Sequence, residues 1–318
     1  MNGPRTVTGS SNLFPPTQEQ QMAADMVVVD KKSNRNYGLP KVLNKVIQGD
    51  ALQILPKLPS ESVDCVFMDP PYFLQLPKKR LKRWNVKTDV DGVDDAWDKF
   101  GSFAEYDDFI TKLLTEVRRL MKPSATIWVI ATYHSIFRIG RIMQDLGFWL
   151  LNDVHWVKTN PMPNWLGVRF TNATETLIFA LRDKDSKGYT FNRNYAKEFG
   201  IGSVAANVWV MPLCNGAERL KDAEGNKLHS TQKPLELLRR VLLVSTKEGD
   251  VVLDPVAGVG TTGYAAKMLN RNFIMTEISE KYVEGIKARF SQPMGRPKKE
   301  QVPVQSKGRK STAAELSL

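Results

Sequence analysis

Two stretches of this 318-residue chain carry residue types that could do chemistry, Asp69-Pro70-Pro71-Tyr72 and Asp254-Pro255-Val256-Ala257-Gly258-Val259-Gly260-Thr261, and their aspartates stand 185 residues apart. The first follows the apolar run from Val63 to Met68, which is short and β-branched enough to read as a buried parallel strand. Neither proline can donate a backbone hydrogen bond, and each holds φ at roughly −65°, so the loop is stiff and its carbonyls face away from any ladder. An open α/β sheet binds ligands at the carboxyl ends of its strands, where this loop would lie. The plainer alternative is a Pro-rich turn capped by an Asp.

In the second stretch, Gly258-x-Gly260-x-x-Gly263 after a strand has the form of the dinucleotide fingerprint, with Glu277 ending the next strand as a ribose ligand. Alone, that pattern describes an NAD enzyme. Asp254 at the strand end and Pro255 in place of the tight glycine turn argue against it, because a carboxylate there repels a pyrophosphate and attracts a cation. S-adenosylmethionine is a cationic adenosine that uses every conspicuous residue. Gly258 and Gly260 admit its close approach, Glu277 accepts from the ribose hydroxyls and Asp254 faces the charged methionine end.

With a methyl donor opposite it, the first loop acquires a task. An exocyclic amine such as adenine N6 is a poor nucleophile, because its lone pair is delocalised into the ring. The Asp69 carboxylate and the Pro70 carbonyl could hold the amine hydrogens and turn the lone pair out of plane, with Tyr72 stacked on the base. This is catalysis by positioning and electrostatics. A base in a duplex reaches such a pocket only by flipping out.

The elements around these loops read as a doubly wound, Rossmann-like α/β sheet with an irregular insertion. Strands are expected over residues 42–48, 126–131, 154–158, 174–181, 208–211, 251–254 and 272–277. Helices are expected over 51–58, 103–121, 134–146, from Pro234 to about 246, up to 269, and over 280–290. Asp50 reads equally as the N-cap of the first helix or as a carboxylate facing a ligand. Residues 1–40 read as a mobile arm and 41–290 as one domain, divided into a catalytic half (41–154), a target-recognition region (155–228) and a cofactor half (229–290). Residues 291–318 form a basic tail in which Gly295-Arg296-Pro297-Lys298 has the form of a minor-groove hook, though a generic basic tail reads as well.

Lys and Arg exceed Asp and Glu by 45 to 34, a net +11 that suits a polyanion such as nucleic acid. The run Lys78, Lys79, Arg80, Lys82, Arg83 and Lys87 around Trp84 suits phosphate contact with stacking, or else a solvated charged loop. Two cysteines exclude a disulfide framework, and three scattered histidines give no metal-ligand spacing. No apolar stretch reaches the ~18 residues of a membrane span and no secretory h-region is present, so a cytoplasmic protein is expected.

Taken together, the sequence resembles the β-class amino-methyltransferases of DNA, in which the Asp-Pro-Pro-Tyr half precedes the recognition region and the cofactor loop comes last. The resemblance covers residues 42–290 and lies with the group of CcrM and the HinfI methyltransferase. It is carried by DPPYFLQL from Asp69, TIWVIATYHSIFRIG from Thr126, DLGFWLLNDVHWVKTNPMPN from Asp145 and STQKP from Ser230. It implies adenine-N6 methylation of double-stranded DNA, within GANTC, by Asp69, Pro70, Pro71 and Tyr72. S-adenosylmethionine would be bound by Asp50, Asp254, Ala257, Gly258, Gly260, Thr261 and Glu277, with Lys233 on its carboxylate. Lys78, Lys79, Arg80, Arg83, Trp84, Asn160, Asn164 and Arg169 are the expected DNA contacts. A homodimer and a genetically linked restriction endonuclease are further implications of the resemblance. N4-cytosine methylation and a non-catalytic DNA-binding regulator are the alternatives. Three positions depart from the family pattern: Val256 where Phe is usual, Ser230 where Pro is usual, and a short basic tail where CcrM-like enzymes carry a further DNA-binding domain.

Overall fold

A computed structural model describes residues 25–30, 36–74, 81–83, 86–90, 98–164, 167–202 and 204–292. In chain order the elements begin with β1 (Val27–Val29), α1 (Leu39–Val42), β2 (Lys45–Gln48), α2 (Ala51–Ile54) and β3 (Val63–Met68). A hairpin, β4 (Leu81–Arg83) and β5 (Val86–Val90), precedes α3 (Phe103–Leu120), β6 (Met121–Ala131), α4 (Ile136–Asp145), β7 (Trp149–Lys158) and β8 (Thr174–Leu181). The chain continues through α5 (Arg193–Phe199), β9 (Val208–Met211), α6 (Leu235–Ser245), β10 (Val251–Asp254), α7 (Thr261–Met268), β11 (Asn272–Glu277) and α8 (Glu280–Phe290).

One nine-stranded sheet runs in the order β1-β2-β11-β10-β3-β6-β8-β7-β9. From β1 to β6 every pairing is parallel, β8 is antiparallel to both β6 and β7, and β9 runs parallel to β7. The central pair places Val252 opposite Cys65 and Leu253 opposite Val66. Outward from this pair the chain winds to β11 on one side and to β6 on the other, which makes the carboxyl ends of β10 and β3 the topological switch point. Both chemistry-bearing loops leave the sheet there.

Strand alternation divides the core between the two faces. Val66 and Met68 pack with α2, α3 and α4, whereas Cys65 and Phe67 pack with α5, α6, α7 and α8. Helix α3 buries Tyr106, Ile110, Leu113, Leu114, Val117 and Leu120 at helical spacing. Its start is fixed by Ser102, whose hydroxyl accepts from the Glu105 amide at 3.2 Å, while the Glu105 carboxylate accepts from the Gly101 amide at 2.8 Å. The Tyr106 hydroxyl donates to the Pro71 carbonyl at 2.8 Å, so this helix also braces the Asp69–Tyr72 loop.

The structure departs from the expected organisation in four places. Within the stretch read as an arm, Val27–Val29 adds a parallel edge strand to β2, and Asp30 pairs with Lys57 at 2.7 Å and accepts from the Tyr37 hydroxyl at 2.6 Å. Three apolar residues are too few to show a period, so this strand is hidden in the sequence. The basic run contains the β4-β5 hairpin. The region assigned to target recognition supplies β8, β9 and the last four residues of β7 to the main sheet, leaving its connecting loops outside the sheet. It also contains α5, which packs on α6 and buries Ala196 and Phe199. Among the described residues no helix is long and apolar enough to cross a membrane, and no group of three or more His, Cys, Asp or Glu side chains could hold a metal ion.

Candidate active site

A cleft of about 310 Å³ opens at the switch point, lined on one side by Asp69, Pro70, Pro71 and Tyr72 and on the other by Asp254, Ala257, Gly258, Thr261 and Glu277. Asp50 stands at its edge with Gly49 and Ala51.

On the catalytic side, three successive backbone amides after Pro71 converge on one carboxylate. Asp98 Oδ1 accepts from Tyr72 N at 2.6 Å and Phe73 N at 2.7 Å, and Asp98 Oδ2 accepts from Leu74 N at 2.9 Å. Phe73 has φ of 50°, a left-handed conformation that costs a residue with a Cβ about 1–2 kcal/mol. Its ring is held by Phe100, Phe103 and Tyr106, with centroids 5.1–5.8 Å away. The stiffness read from the two prolines therefore extends through Leu74 by way of Asp98 and an aromatic cluster.

The Asp69 carboxylate is part of a buried charge network. Lys233 Nζ lies 2.8 Å from Asp69 Oδ2 and 3.7 Å from Glu175 Oε2, and Lys158 Nζ lies 2.9 Å from Glu175 Oε1. The Tyr72 hydroxyl lies 2.9 Å from Asp69 Oδ1 and 3.0 Å from Glu175 Oε2, with the Lys233 ammonium 5.0 Å from the centre of its ring. Burial pushes the Asp69 carboxyl above its ordinary value against the pull of Lys233. At Glu175 burial acts the same way, but Lys233 and Lys158 overcome it and hold the group below its ordinary value. Burial, then the two carboxylates, raise the Tyr72 phenol far above its usual range, so it stays protonated.

On the cofactor side, Gly258 and Gly260 have φ of 53° and 70°, the left-handed region that favours glycine. A Cβ on Gly258 would come within 3.1 Å of His229 Nε2, and one on Gly260 within 2.9 Å of Ile286. Gly260→Ala combines backbone strain with overpacking of a filled core, and its expected cost is about 2–4 kcal/mol in a urea titration. The Glu277 carboxylate accepts from Gly258 N at 2.8 Å through one oxygen and from Ser279 N at 2.8 Å through the other. Asp254 accepts from Val256 N at 3.1 Å and from the Thr262 hydroxyl at 2.5 Å. Both carboxylates thus shape the loop while facing the cleft, each oxygen keeping lone-pair capacity for a ligand. His229 is driven down to about 3 by burial and by Lys233 and Arg219, so it adds no charge.

Burial pushes both Asp254 and Glu277 up to about 7. Their ordinary values are 3.8 and 4.5, so their contribution to the stability of the ligand-free protein is complete below that range and is lost as pH rises through 7. A cationic ligand favours the ionised carboxylates, so its affinity runs the opposite way. Calorimetry across this range should show S-adenosylmethionine binding tighten with rising pH and release protons near neutrality, while the melting temperature of the ligand-free protein falls. Affinity independent of pH would separate these carboxylates from the ligand.

Several expected residues take other positions. Lys233, read as a contact for the cofactor carboxylate, lines the cleft and pairs with Asp69 and Glu175. Tyr72, read as a stacking ring, is buried with its hydroxyl engaged. Asp50 caps α2, accepting from Leu52 N at 2.9 Å, and also lines the cleft. Asn160 accepts from Leu213 N at 2.8 Å, Asn164 donates to the Arg169 carbonyl at 2.7 Å, and Arg169 donates to the Tyr133 hydroxyl at 2.9 Å. These three sit in the β7-β8 connection or at its start, near the strand ends that carry Lys158 and Glu175. Lys78, Lys79, Arg80 and Trp84, the side chain of Arg83 and the tail hook lie outside the described residues. Sequence reasoning missed Glu175, Lys158 and the role of Asp98. The available signal was a Glu near the start of β8 and a Lys at the end of β7, which tertiary pairing alone explains.

The cleft fits S-adenosylmethionine on its own features: a glycine loop after β10 with two left-handed turns at Gly258 and Gly260, and two carboxylates, Asp254 and Glu277, that line it. Comparison with known proteins agrees. Residues 63–288 match the family described as DNA methylase. The Type II methyltransferase M.HinfI of Haemophilus influenzae is 48% identical over 242 residues, covering 76% of this chain and 67% of that protein. M2.LlaDCHI of Lactococcus lactis subsp. cremoris, also a Type II methyltransferase, is 38% identical over 77% of this chain and 88% of its own. Among solved structures, the M1.HpyAVI-SAM complex superposes with a TM-score of 0.55 at 25% identity, covering 77% of this chain and 97% of that one. The cytosine-N4-specific PvuII DNA methyltransferase shares the fold, with a TM-score of 0.58 at 20% identity over 78% of this chain and 85% of its own. The chain belongs to the DNA methylase family, the S-adenosylmethionine-dependent methyltransferases of DNA.

Proposed function

We propose that this protein methylates adenine N6 in double-stranded DNA, within GANTC, with Asp69, Pro70, Pro71 and Tyr72 as the catalytic loop. The observation that carries the reading is the placement of the Asp69 carboxylate, on a loop fixed by Asp98 and Tyr106, directly across one cleft from the glycine loop of β10. Asp at position 69 favours adenine, since the N4-cytosine group more often carries Ser there. The 48% identity to M.HinfI supports the GANTC assignment, as does the resemblance of the motifs to that group.

S-adenosylmethionine, held by Asp254, Ala257, Gly258, Gly260, Thr261 and Glu277, supplies an electrophilic methyl group on a sulfonium. Asp69 and the Pro70 carbonyl accept the two hydrogens of the flipped amine, orienting its lone pair toward the cofactor side. The apolar walls, Pro71 and Val256 among them, exclude water from the acceptors and strengthen them. For the base to stack on Tyr72, the Lys233-Asp69 pair must loosen as the amine arrives. The connection from residue 159 to 173, the basic hairpin and the tail supply the DNA contacts in this reading, with Asn160, Asn164 and Arg169 nearest the site. A homodimer and a linked endonuclease follow from the resemblance alone.

Purified protein with methyl-labelled cofactor should label duplexes containing GANTC and leave scrambled duplexes unlabelled, with the label recovered as N6-methyldeoxyadenosine. Label confined to cytosine, or none on DNA, would reject the proposal.

A further inference from the structure

Glu175 and Lys158 are buried, charged and outside the proposed catalytic loop, yet Glu175 touches it through the Tyr72 hydroxyl and Lys158 pairs with Glu175. Tyr72 Oη lies within 3.0 Å of a carboxylate oxygen on each side, Asp69 Oδ1 at 2.9 Å and Glu175 Oε2 at 3.0 Å. A phenol has one hydrogen to donate, so it fully satisfies only one of these contacts; the other becomes a hydrogen bond when the carboxyl on that side carries a proton. The arrangement is complete with one proton more than two carboxylates and a phenol ordinarily hold. Charge sets how long such a proton stays: Asp69 and Glu175 already balance Lys233 and Lys158, so the cluster is neutral without it and an added proton is held only in transit; among the described residues these four and Tyr72 meet here from β3, β7, β8 and the turn before α6.

The methylation reaction releases one proton. We infer that Tyr72 and Glu175 form its exit path from Asp69, an inference that rests on the proposed role of Asp69. As the amine nitrogen bonds to the methyl carbon, the sulfur–methyl bond breaks and its electron pair stays on sulfur as a thioether. The nitrogen, now positive, passes a proton to Asp69. Asp69 hands that proton to the Tyr72 oxygen while the Tyr72 hydrogen moves to Glu175, so no charge accumulates on the phenol. Asp69 returns to a carboxylate, and Glu175, which Lys233 and Lys158 hold below its ordinary value, carries the proton only in passing and gives it to water as the product leaves. Lys158 positions Glu175 from the far side at 2.9 Å, and Lys233 spans both carboxylates.

The test uses the full-length protein with a GANTC duplex, comparing wild type with Glu175→Gln, Tyr72→Phe, Lys158→Gln and Asp69→Asn. Glu175→Gln should bind cofactor and DNA within a few-fold of wild type while its single-turnover rate falls on the order of 10²-fold. The wild-type rate in mixed light and heavy water should show more than one proton in flight, and Glu175→Gln and Tyr72→Phe should each reduce this to one. Lys158→Gln loses the ion pair but keeps the carboxyl, so it should be slower and still show the multi-proton dependence, which a merely structural role for Glu175 would not give. A Glu175→Gln rate within twofold of wild type, or an unchanged isotope dependence, would overturn the relay. If Glu175→Gln fails to fold, Tyr72→Phe decides alone by its isotope dependence. If Asp69→Asn is as fast as wild type, the catalytic-loop reading itself fails; if it is slow while Glu175→Gln is fast, only the relay fails.

Discussion

Asp69→Asn should lower the single-turnover rate by about 10²–10³-fold, equivalent to about 2.7–4 kcal/mol of lost transition-state stabilisation. The substitution keeps the shape of the side chain and one acceptor oxygen, so the loss measures the negative charge facing the amine as positive charge develops on its nitrogen. The loop should survive, because its conformation is set by the three amides on Asp98, the Tyr106 hydroxyl on Pro71 and the ring cluster around Phe73. Cofactor affinity should stay within a few-fold, since Asp254, Glu277 and the two left-handed glycines are untouched. Rapid-quench methylation and calorimetry on the same preparation separate the two quantities. A rate near wild type would remove Asp69 from the chemistry.

The largest effect on folding should come from Lys233→Met. Lys233 is the cation shared by Asp69 and Glu175, and its removal leaves Asp69 without its ion-pair partner while Glu175 keeps only Lys158. Breaking a buried pair from one side costs about 3–5 kcal/mol. The expected result is a denaturant midpoint lowered by that amount at neutral pH, with methylation lost in parallel. The pH dependence gives the cause. Without Lys233 the folded-state values of both carboxyls rise, so the destabilisation should shrink as pH falls and Asp69 becomes neutral. Lys233→Arg keeps the charge and should recover stability more than activity, because a planar guanidinium does not reproduce the position of a compact ammonium. A destabilisation independent of pH would point to lost packing.

The contrast between the two loops shows what one-dimensional reading can reach. The glycine loop was legible because its constraints are local: φ above zero at Gly258 and Gly260 follows from residue type and spacing, and strand β10 before it is a plain apolar run. Long periodic elements such as α3 were legible for the same reason, with bounds within a residue of those expected. The partnership of Asp69 with a loop 185 residues later was inferable from the order of the motifs and from the charge of the ligand. The partnership of Asp69 with Glu175 and Lys158 was not, because it depends on β8 folding back antiparallel to β6 and carrying Glu175 to the catalytic end of the sheet. The ion pairs of Lys233 with Asp69 and Glu175 were equally hidden, because sequence gives its distance along the chain from α6 but not the direction of the turn before it. Edge strand β1 and helix α5 were too short for their patterns to stand out from polar surroundings.

The most direct test of adenine-N6 methylation in GANTC is single-base methylation mapping in cells whose only DNA methyltransferase is this protein. Modified adenine should appear at the second position of GANTC on both strands, and should be absent from an otherwise identical strain carrying Asp69→Asn. Modified cytosine, modified adenine in an unrelated sequence, or modification that persists in Asp69→Asn would contradict it.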